Sequence, residues 1–421
     1  MTTRRREYRK GKFRPAVPLH TKGFLFMTTC IDTMAARLTQ LQALLAQKEI
    51  DLAVLQLSSD LFYYAGSVQP SYLLVPQSGA ARVLARKALT RIEAEVSLPV
   101  HSFAGSKDLT AILELAGGLA AQRIGFVLDT APYASVQRLA RLMPQAEIVD
   151  LSWDLRLLRM VKSPEEIAIL RRSGETMTCV PDVARDYFAP GMTELALSAT
   201  LEYAFRLQGH DMLIRCRREG MEMSASGVCS SGVRTLAGTK FEGICGGTGL
   251  SHAVPYGATD TPIAEGEPIL LDFAFVREGY HLDQTRMACW GTPSDTVQRA
   301  FDAMLAVQQT VFDALRPGAR WEDVYARAAA HVEELGYADT FMGYGREQIS
   351  FVGHGVGLEL DEPPFLAPRM PYALAAGMTL AIEPKVALPG IGVVGIEDTV
   401  LICDGAPERL TICDQAFIAL G

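Results

Sequence analysis

The sequence predicts an α/β domain over residues 27–155 and, after it, an α+β domain over residues 156–421 that contains an internal repeat. Three observations lead there. Helix-like and strand-like segments alternate from Asp32 to about Val149. A long amphipathic run with strong start signals then separates that region from the rest. Beyond it, two stretches of equal length share a Pro-Gly start, matched apolar positions and a closing Gly.

In the first domain, "TMAARLTQLQALLAQKEI" (33–50) has apolar residues at helical spacing, and "DLAVLQL" (51–57) reads as a buried strand. "SYLLVPQSGAARVLAR" reads as two strands about the turn Gln77-Ser78-Gly79. "RIGFVLD" (123–129) is a further strand, and "APYASVQRLARLM" a helix behind it. At the boundary, "LRLLRMVKSPEEIAIL" (155–170) places Pro164 after Ser163 and Glu166 three residues on, the signature of a capped helix start, and the run continues to about Tyr187. The repeat pairs "PGMTELALSATLEYAFRLQG" (190–209) with "PGARWEDVYARAAAHVEELG" (317–336). Leu197 matches Val324, Phe205 matches Val332, and Asp186 matches Asp313 upstream. Each helix is followed by strand-like sequence, so the second domain is two similar α-then-β halves.

Apolar residues at 49% and charged residues at 21% exclude a disordered or fibrous chain. No run approaches the ~18 apolar residues of a membrane span. The eight cysteines are scattered without a CxxC pair, which argues for a reducing, cytoplasmic setting and against a cysteine-built zinc site or a disulfide framework. Residues 1–26 form a basic extension expected to be disordered, with Arg4, Arg5, Arg6, Arg9, Lys10, Lys12, Arg14 and Lys22 against Glu7. The remainder is acidic, about −15. No nucleic-acid or membrane role is assigned to this arm. "GGTG" (246–249) has no βαβ context and is not a nucleotide loop.

The chemistry lies in acids set within apolar strands. "EPILLDFAFVREGYHLDQTRMACW" (267–290) puts Asp272 in one strand and Asp283 in the strand that returns. A four-residue loop over 276–279 makes Asp272 face Asp283, with Cβ atoms ~5 Å apart. In "TLAIEPKVALPGIGVVGIEDTVLI" (379–402) a turn centred on Gly390 makes Glu383 face Glu397. Carboxylates this close repel, and their burial costs several kcal/mol unless a positive charge joins them. His354, inside the "GHGVG" of residues 353–357, completes a set of four carboxylates and one imidazole. Such a set can hold two divalent metal ions sharing a bridging carboxylate, with Mn, Fe, Co or Zn favoured by mostly oxygen ligands and one His.

With these residues in place, the second domain resembles the pita-bread metallopeptidases, which include methionine aminopeptidase, prolidase and X-Pro aminopeptidase. The first resembles the creatinase-type N-terminal domain of the prolidase branch, through "DLFYYAG" (60–66) and "DLRLLRMVKSPEEIAILRRSGE" (154–175). The resemblance implies five metal ligands at Asp272, Asp283, His354, Glu383 and Glu397, the set already selected from the hairpins. It further implies that a metal-bridging water or hydroxide attacks an amide carbonyl, with Glu383 as proton acceptor. His252, in "GLSHAVPYG", matches the histidine that binds substrate and steadies the oxyanion in the family. A homodimer is implied too.

The chain departs from the branch at four positions. Asp361 stands where "GHGxGLExHExP" has a second active-site His, and Gly395 where "RIEDT" has Arg. Ser251 replaces a common Pro and Ala274 a common Gly. Two changes remove positive or proton-donating groups and one adds a negative charge, so substrate handling is expected to differ. Asp361 is a candidate to receive a cationic substrate group. His281, on the same strand face as Asp283, is a candidate substrate contact or a structural residue.

The function expected is a dinuclear metal-dependent peptidase that cuts an amide bond near the N-terminus of short peptides, with X-Pro bonds as the substrate class. The alternatives are a metal-dependent hydrolase of a small non-peptide amide or amidine, and a non-catalytic binding protein on the same fold.

Overall fold

A computed structural model describes residues 26–217, 227–240 and 243–421, with side chains from Asp32 onward; the basic extension lies outside the described residues save for its last residue, Phe26. The chain divides into two compact units, one ending at Arg159 and one running from Met160 to Gly421.

The first unit is laid out as α1 (Phe26–Gln47), β1 (Leu52–Leu55), α2 (Ser58–Ala65), β2 (Tyr72–Pro76), β3 (Arg82–Ala85), α3 (Leu89–Glu95) and β4 (Val100–Ser102), then α4 (Ser106–Leu115), β5 (Arg123–Phe126), α5 (Tyr133–Ala140), β6 (Glu147–Asp150) and α6 (Ser152–Leu158). Its six strands form one sheet in the order β4-β3-β2-β1-β5-β6. β1 pairs antiparallel with β2 and parallel with β5. Leu52, Val54, Leu74, Leu84, Ile124 and Phe126 meet Ile112, Leu113, Val136 and Leu139 in one buried cluster. Each such side chain contributes ~1.5–3 kcal/mol by leaving water. The expected strand over 51–57 is shorter, because α2 begins at Ser58 and closes at Gly66, whose φ of 79° suits glycine. A buried ion pair ties α2 to the end of the unit, with Arg159 Nη1 2.6 Å from Asp60 Oδ1.

The second unit opens with α7 (Pro164–Met177), α8 (Val180–Tyr187) and α9 (Glu194–Leu207). The capping box is present: Ser163 N–H donates to Glu166 Oε2 at 2.6 Å and Glu166 N–H to Ser163 Oγ at 3.3 Å. The helix does not run unbroken to Tyr187, since Pro181 fits only the first turn of a new helix. Then come β7 (Gly227–Ser231), β8 (Pro268–Arg277), β9 (Tyr280–Trp290), α10 (Asp295–Ala314) and α11 (Trp321–Glu334). The chain ends in β10 (Gly353–Gly355), β11 (Glu362–Leu366), β12 (Thr379–Ile382), β13 (Lys385–Leu388), β14 (Gly392–Gly395), β15 (Glu397–Leu401), β16 (Glu408–Arg409) and β17 (Ile418–Leu420).

The repeat is visible in the elements. α9 and α11 are each 14 residues long and start four residues after their Pro-Gly proline. The main sheet has the order β11-β10-β12-β15-β9-β8-β7. Read outward from the antiparallel β15–β9 pair, β12 corresponds to β8 and β10 to β7. β8 and β9 are buried on both faces, which explains the near-continuous apolar sequence of β8, while β9 buries a polar run from Asp283 to Arg286.

Candidate metal centre

The strands that match across the repeat carry the acids. Asp272 is on β8, Asp283 on β9, Glu397 at the start of β15, and Glu383 directly after β12. His354 is the middle residue of β10, paired with Ala381 of β12. The glycines around it are required by close approach: a Cβ on Gly355 would lie 2.3 Å from the Pro363 carbonyl oxygen, and one on Gly353 2.5 Å from that of Ala381.

The register of the first hairpin differs from the expected one. Asp272 lies opposite Thr285, and Asp283 opposite Ala274, because the strands continue to the Arg277–Tyr280 pair. The loop is only Glu278-Gly279, with φ of 53° and 83°, the two positive values a tight hairpin turn demands. The slip is two residues, so both acids stay on one face as diagonal neighbours. In the second hairpin Ile382 pairs with Asp398 and Lys385 with Gly395, a register that sets Glu383 opposite Glu397.

Asp283, His354 and Glu397 each offer a ligand atom, and these atoms lie within 4.8 Å of one another. His354 Nδ1 is 3.1 Å from the Gly355 carbonyl, which orients Nε2 into the cluster, 3.4 Å from Glu383 Oε1. Glu397 is fixed by the Thr285 hydroxyl, which donates to Oε2 at 2.7 Å. Its backbone carbonyl accepts from Arg286 Nη1 at 2.8 Å, while Arg286 Nη2 pairs with Asp398 at 2.7 Å, wholly buried. The Thr399 hydroxyl donates to the Asp283 carbonyl at 2.8 Å and tethers β9 to β15. One imidazole and mostly carboxylate oxygens, converging and preorganised, fit a divalent ion of the first transition row.

One member of the site was not anticipated. Lys385, 1% exposed, extends its ammonium to Glu383 Oε2 at 2.7 Å, Glu397 Oε2 at 3.0 Å and Asp272 Oδ2 at 3.1 Å. Asp272 also accepts from the Cys245 thiol at 3.4 Å. The signal was present in the sequence: a lysine in the strand run "KVAL", two residues from Glu383 and so on the same face.

The charges are strongly coupled. Burial, and then the charge of Asp272, raise Asp283 to about 7. Burial and Asp283 hold Glu397 well above the usual carboxylate range. Burial pushes Glu383 upward as well, but Lys385 and His354 outweigh it and bring the group down to about 2. For His354, burial opposes the charge, yet the hydrogen bond and charge of Glu383, with Asp283 and Glu397, carry it to about 10. Lys385 likewise overcomes burial through Asp272, Glu383 and Glu397 and stays well above the ordinary lysine range. A crowded acid cluster of this kind favours cations.

The remaining candidates are not in the group of converging ligand atoms. His281 is completely buried: Nδ1 is 2.9 Å from the Gly357 carbonyl and Nε2 accepts the Arg215 N–H at 2.9 Å. Both ring nitrogens are thus engaged by backbone, so His281 ties the 357 loop to the 215 segment and offers nothing to a substrate. Burial takes its pKa down to about 4, which keeps it neutral. Asp361 is half-buried in the loop joining β10 to β11, between two acids held by buried cations. Glu359 pairs with Arg217 at 3.2 Å and Glu362 with Lys162 at 2.5 Å. His252 is exposed on the loop bridged by Ser251 and Val254, and among the described residues no hydrogen bond links it to the acids.

Residues 168–404 match the profile of metallopeptidase family M24, and residues 37–161 that of the creatinase/prolidase N-terminal domain. An Xaa-Pro dipeptidase of Pyrococcus furiosus is 25% identical over 387 residues, 91% of this chain and all of the relative. An uncharacterized peptidase of Bacillus subtilis is 28% identical over 299 residues, 71% of this chain and 75% of its own. The solved Xaa-Pro dipeptidase of Bacillus anthracis superposes with a TM-score of 0.77 at 24% identity, covering 92% of this chain and all of that one, which establishes the shared fold. With the profile covering more than half the chain, the protein belongs to metallopeptidase family M24 and carries a creatinase/prolidase N-terminal domain.

Proposed function

We propose that this metallopeptidase hydrolyses the amide bond preceding proline near the amino end of short peptides. The observation that carries the reading is the convergence of Asp283, His354 and Glu397 from three strands, with Glu383 3.4 Å from His354. The name Xaa-Pro dipeptidase borne by relatives aligned along most of the chain supports the substrate class.

In this reading Asp283, His354 and Glu397 hold a divalent ion, with Glu383 beside His354. A divalent ion bound there polarises an amide carbonyl and makes water a better nucleophile. Glu383 is ionised throughout the neutral range and is therefore in the form that accepts a proton. Lys385 fixes its second oxygen, so the first keeps its aim. His252 is assigned to substrate binding and Asp361 to a positively charged part of the substrate. Manganese or another first-row ion, a homodimer and a cytoplasmic setting complete the reading; the seven described cysteines are all free thiols, in keeping with the last.

The test is to load the purified protein with Mn²⁺ or Co²⁺ and present X-Pro dipeptides, X-Pro-X tripeptides, Met-X peptides and small N-alkylated amides, reading products by mass spectrometry. Cleavage before proline is expected, with Glu383→Ala lowering the rate by about 10²–10⁴-fold. Metal-loaded protein that leaves every peptide intact but opens a cationic amide would replace the peptide reading with the small-molecule one.

A further inference from the structure

The two hairpins present enough carboxylates for two cations, and the structure already supplies one of them from the chain. We infer that the ammonium of Lys385 takes the place of a second metal ion, so that the centre holds a single divalent ion on Asp283, His354 and Glu397. This rests on the metal-dependent reading above.

Three observations carry it. The first is saturation. An ammonium has three hydrogens to donate, and three carboxylates from β8, the end of β12 and β15 receive them at 2.7–3.1 Å. No donor is left over. The second is the division of labour among the acids. The group of ligand atoms that can close on one ion consists of Asp283, His354 and Glu397 and does not include Asp272. Asp272 instead turns its Oδ2 to Lys385 and to the Cys245 thiol. The side chain that a second ion would need is therefore committed elsewhere.

The third is the path of the lysine stem. Lys385 lies opposite Gly395 in the β13–β14 ladder, and its carbonyl accepts the Met342 N–H at 2.9 Å. A Cβ on residue 395 would stand 2.6 Å from Lys385 Cγ and 2.7 Å from its Cα. The glycine is thus the space through which the stem passes. With its backbone held on both sides and its head almost sealed from solvent, the ammonium has no wetted position to retreat to. A second ion would have to expel it into buried surroundings, where an unpaired charge is strongly unfavourable.

The experiment counts ions, with no substrate present. Protein loaded with Mn²⁺ and desalted is assayed by elemental analysis and by electron paramagnetic resonance. One equivalent per chain and the six-line signal of an isolated ion are expected. Two equivalents with an exchange-coupled spectrum would overturn the inference, and so would failure to retain any ion. Lys385→Ala is expected to take up a second equivalent and to show the coupled spectrum; a variant that still holds one would show that the lysine is not the cause. Should that variant not fold, Asp272→Asn serves in its place. It is expected to keep its one equivalent, whereas a two-ion centre would lose an ion with this ligand. Cleavage of proline peptides by protein holding two ions would sink this inference alone. A one-ion protein that cuts no such peptide would sink the substrate assignment alone.

Discussion

His210 shows how a single buried side chain ties the fold to pH. The ring is 1% exposed, stacks on Phe275 with centroids 4.9 Å apart, and its Nδ1 accepts the Val276 N–H at 3.0 Å. Burial lowers its pKa below the ordinary 6.5, so the folded chain keeps it neutral while the unfolded chain protonates it more readily. The unfolded state therefore binds more protons as acidity rises, and stability from this residue is present at neutral pH and lost as pH falls through about 6.5. In urea unfolding, the stability difference between the chain and its His210→Gln variant is expected to be larger at pH 7.5 than at pH 5.5, which isolates this residue from the other titrating groups. An equal difference at the two pH values would assign the acid sensitivity to other groups. This role, like that of His281, was not legible from the chain. Neither histidine sits in a motif that names its partners, and both partners are backbone groups more than 60 residues away.

At the scale of elements, β10 and β11 are held so closely that the GHG run tolerates no added side chain. Gly355→Ala would push its methyl against the Pro363 and Glu362 carbonyls at 2.3 and 2.5 Å. Such overpacking typically costs ~1–3 kcal/mol. Because the displaced strand carries His354, metal retention is expected to fall together with thermal stability; a variant that keeps its ion at wild-type affinity would show that the strand relocates as a unit. Elements with a strong local signature were readable in advance: the Ser163 cap, the two Pro-Gly helices, and the Gly390 turn. The β8–β9 turn was misjudged because "VREG" accommodates both a two- and a four-residue loop, and only strand twist chooses between them. Asp283, His354 and Glu397 converge because the face assigned to each acid is right even where the pairing is not. Lys385 escaped notice because its importance depends on Asp272, 113 residues away, and "KVAL" by itself looks like an ordinary strand.

For the whole molecule, the division into two units, each with its own buried core, has a thermodynamic signature. All five candidate ligands belong to the unit from Met160 onward, so a bound ion stabilises that unit by mass action. Stripping the protein with a chelator is expected to lower the calorimetric transition of that unit, by about 4 kcal/mol if the ion had been present at ~1,000 times its dissociation constant. The transition of the first unit is expected to stay in place, and equal shifts of both would mean that the two melt as one. No helix among the described residues is long and apolar enough to cross a membrane. The two hairpins, finally, impose an arithmetic of odd and even on the chain. An even loop of two residues joins acids separated by an odd step, 272 to 283, and an odd loop of three residues joins acids separated by an even step, 383 to 397. Only these combinations leave both carboxylates on one side of the sheet. Loss of a single residue that pulled either turn tight would turn one acid of its pair away from the other, whereas loss of two would preserve the facing. Variation in length at these tips is therefore expected to be tolerated in pairs, and a population of random one- and two-residue deletions selected for metal retention would keep the even ones.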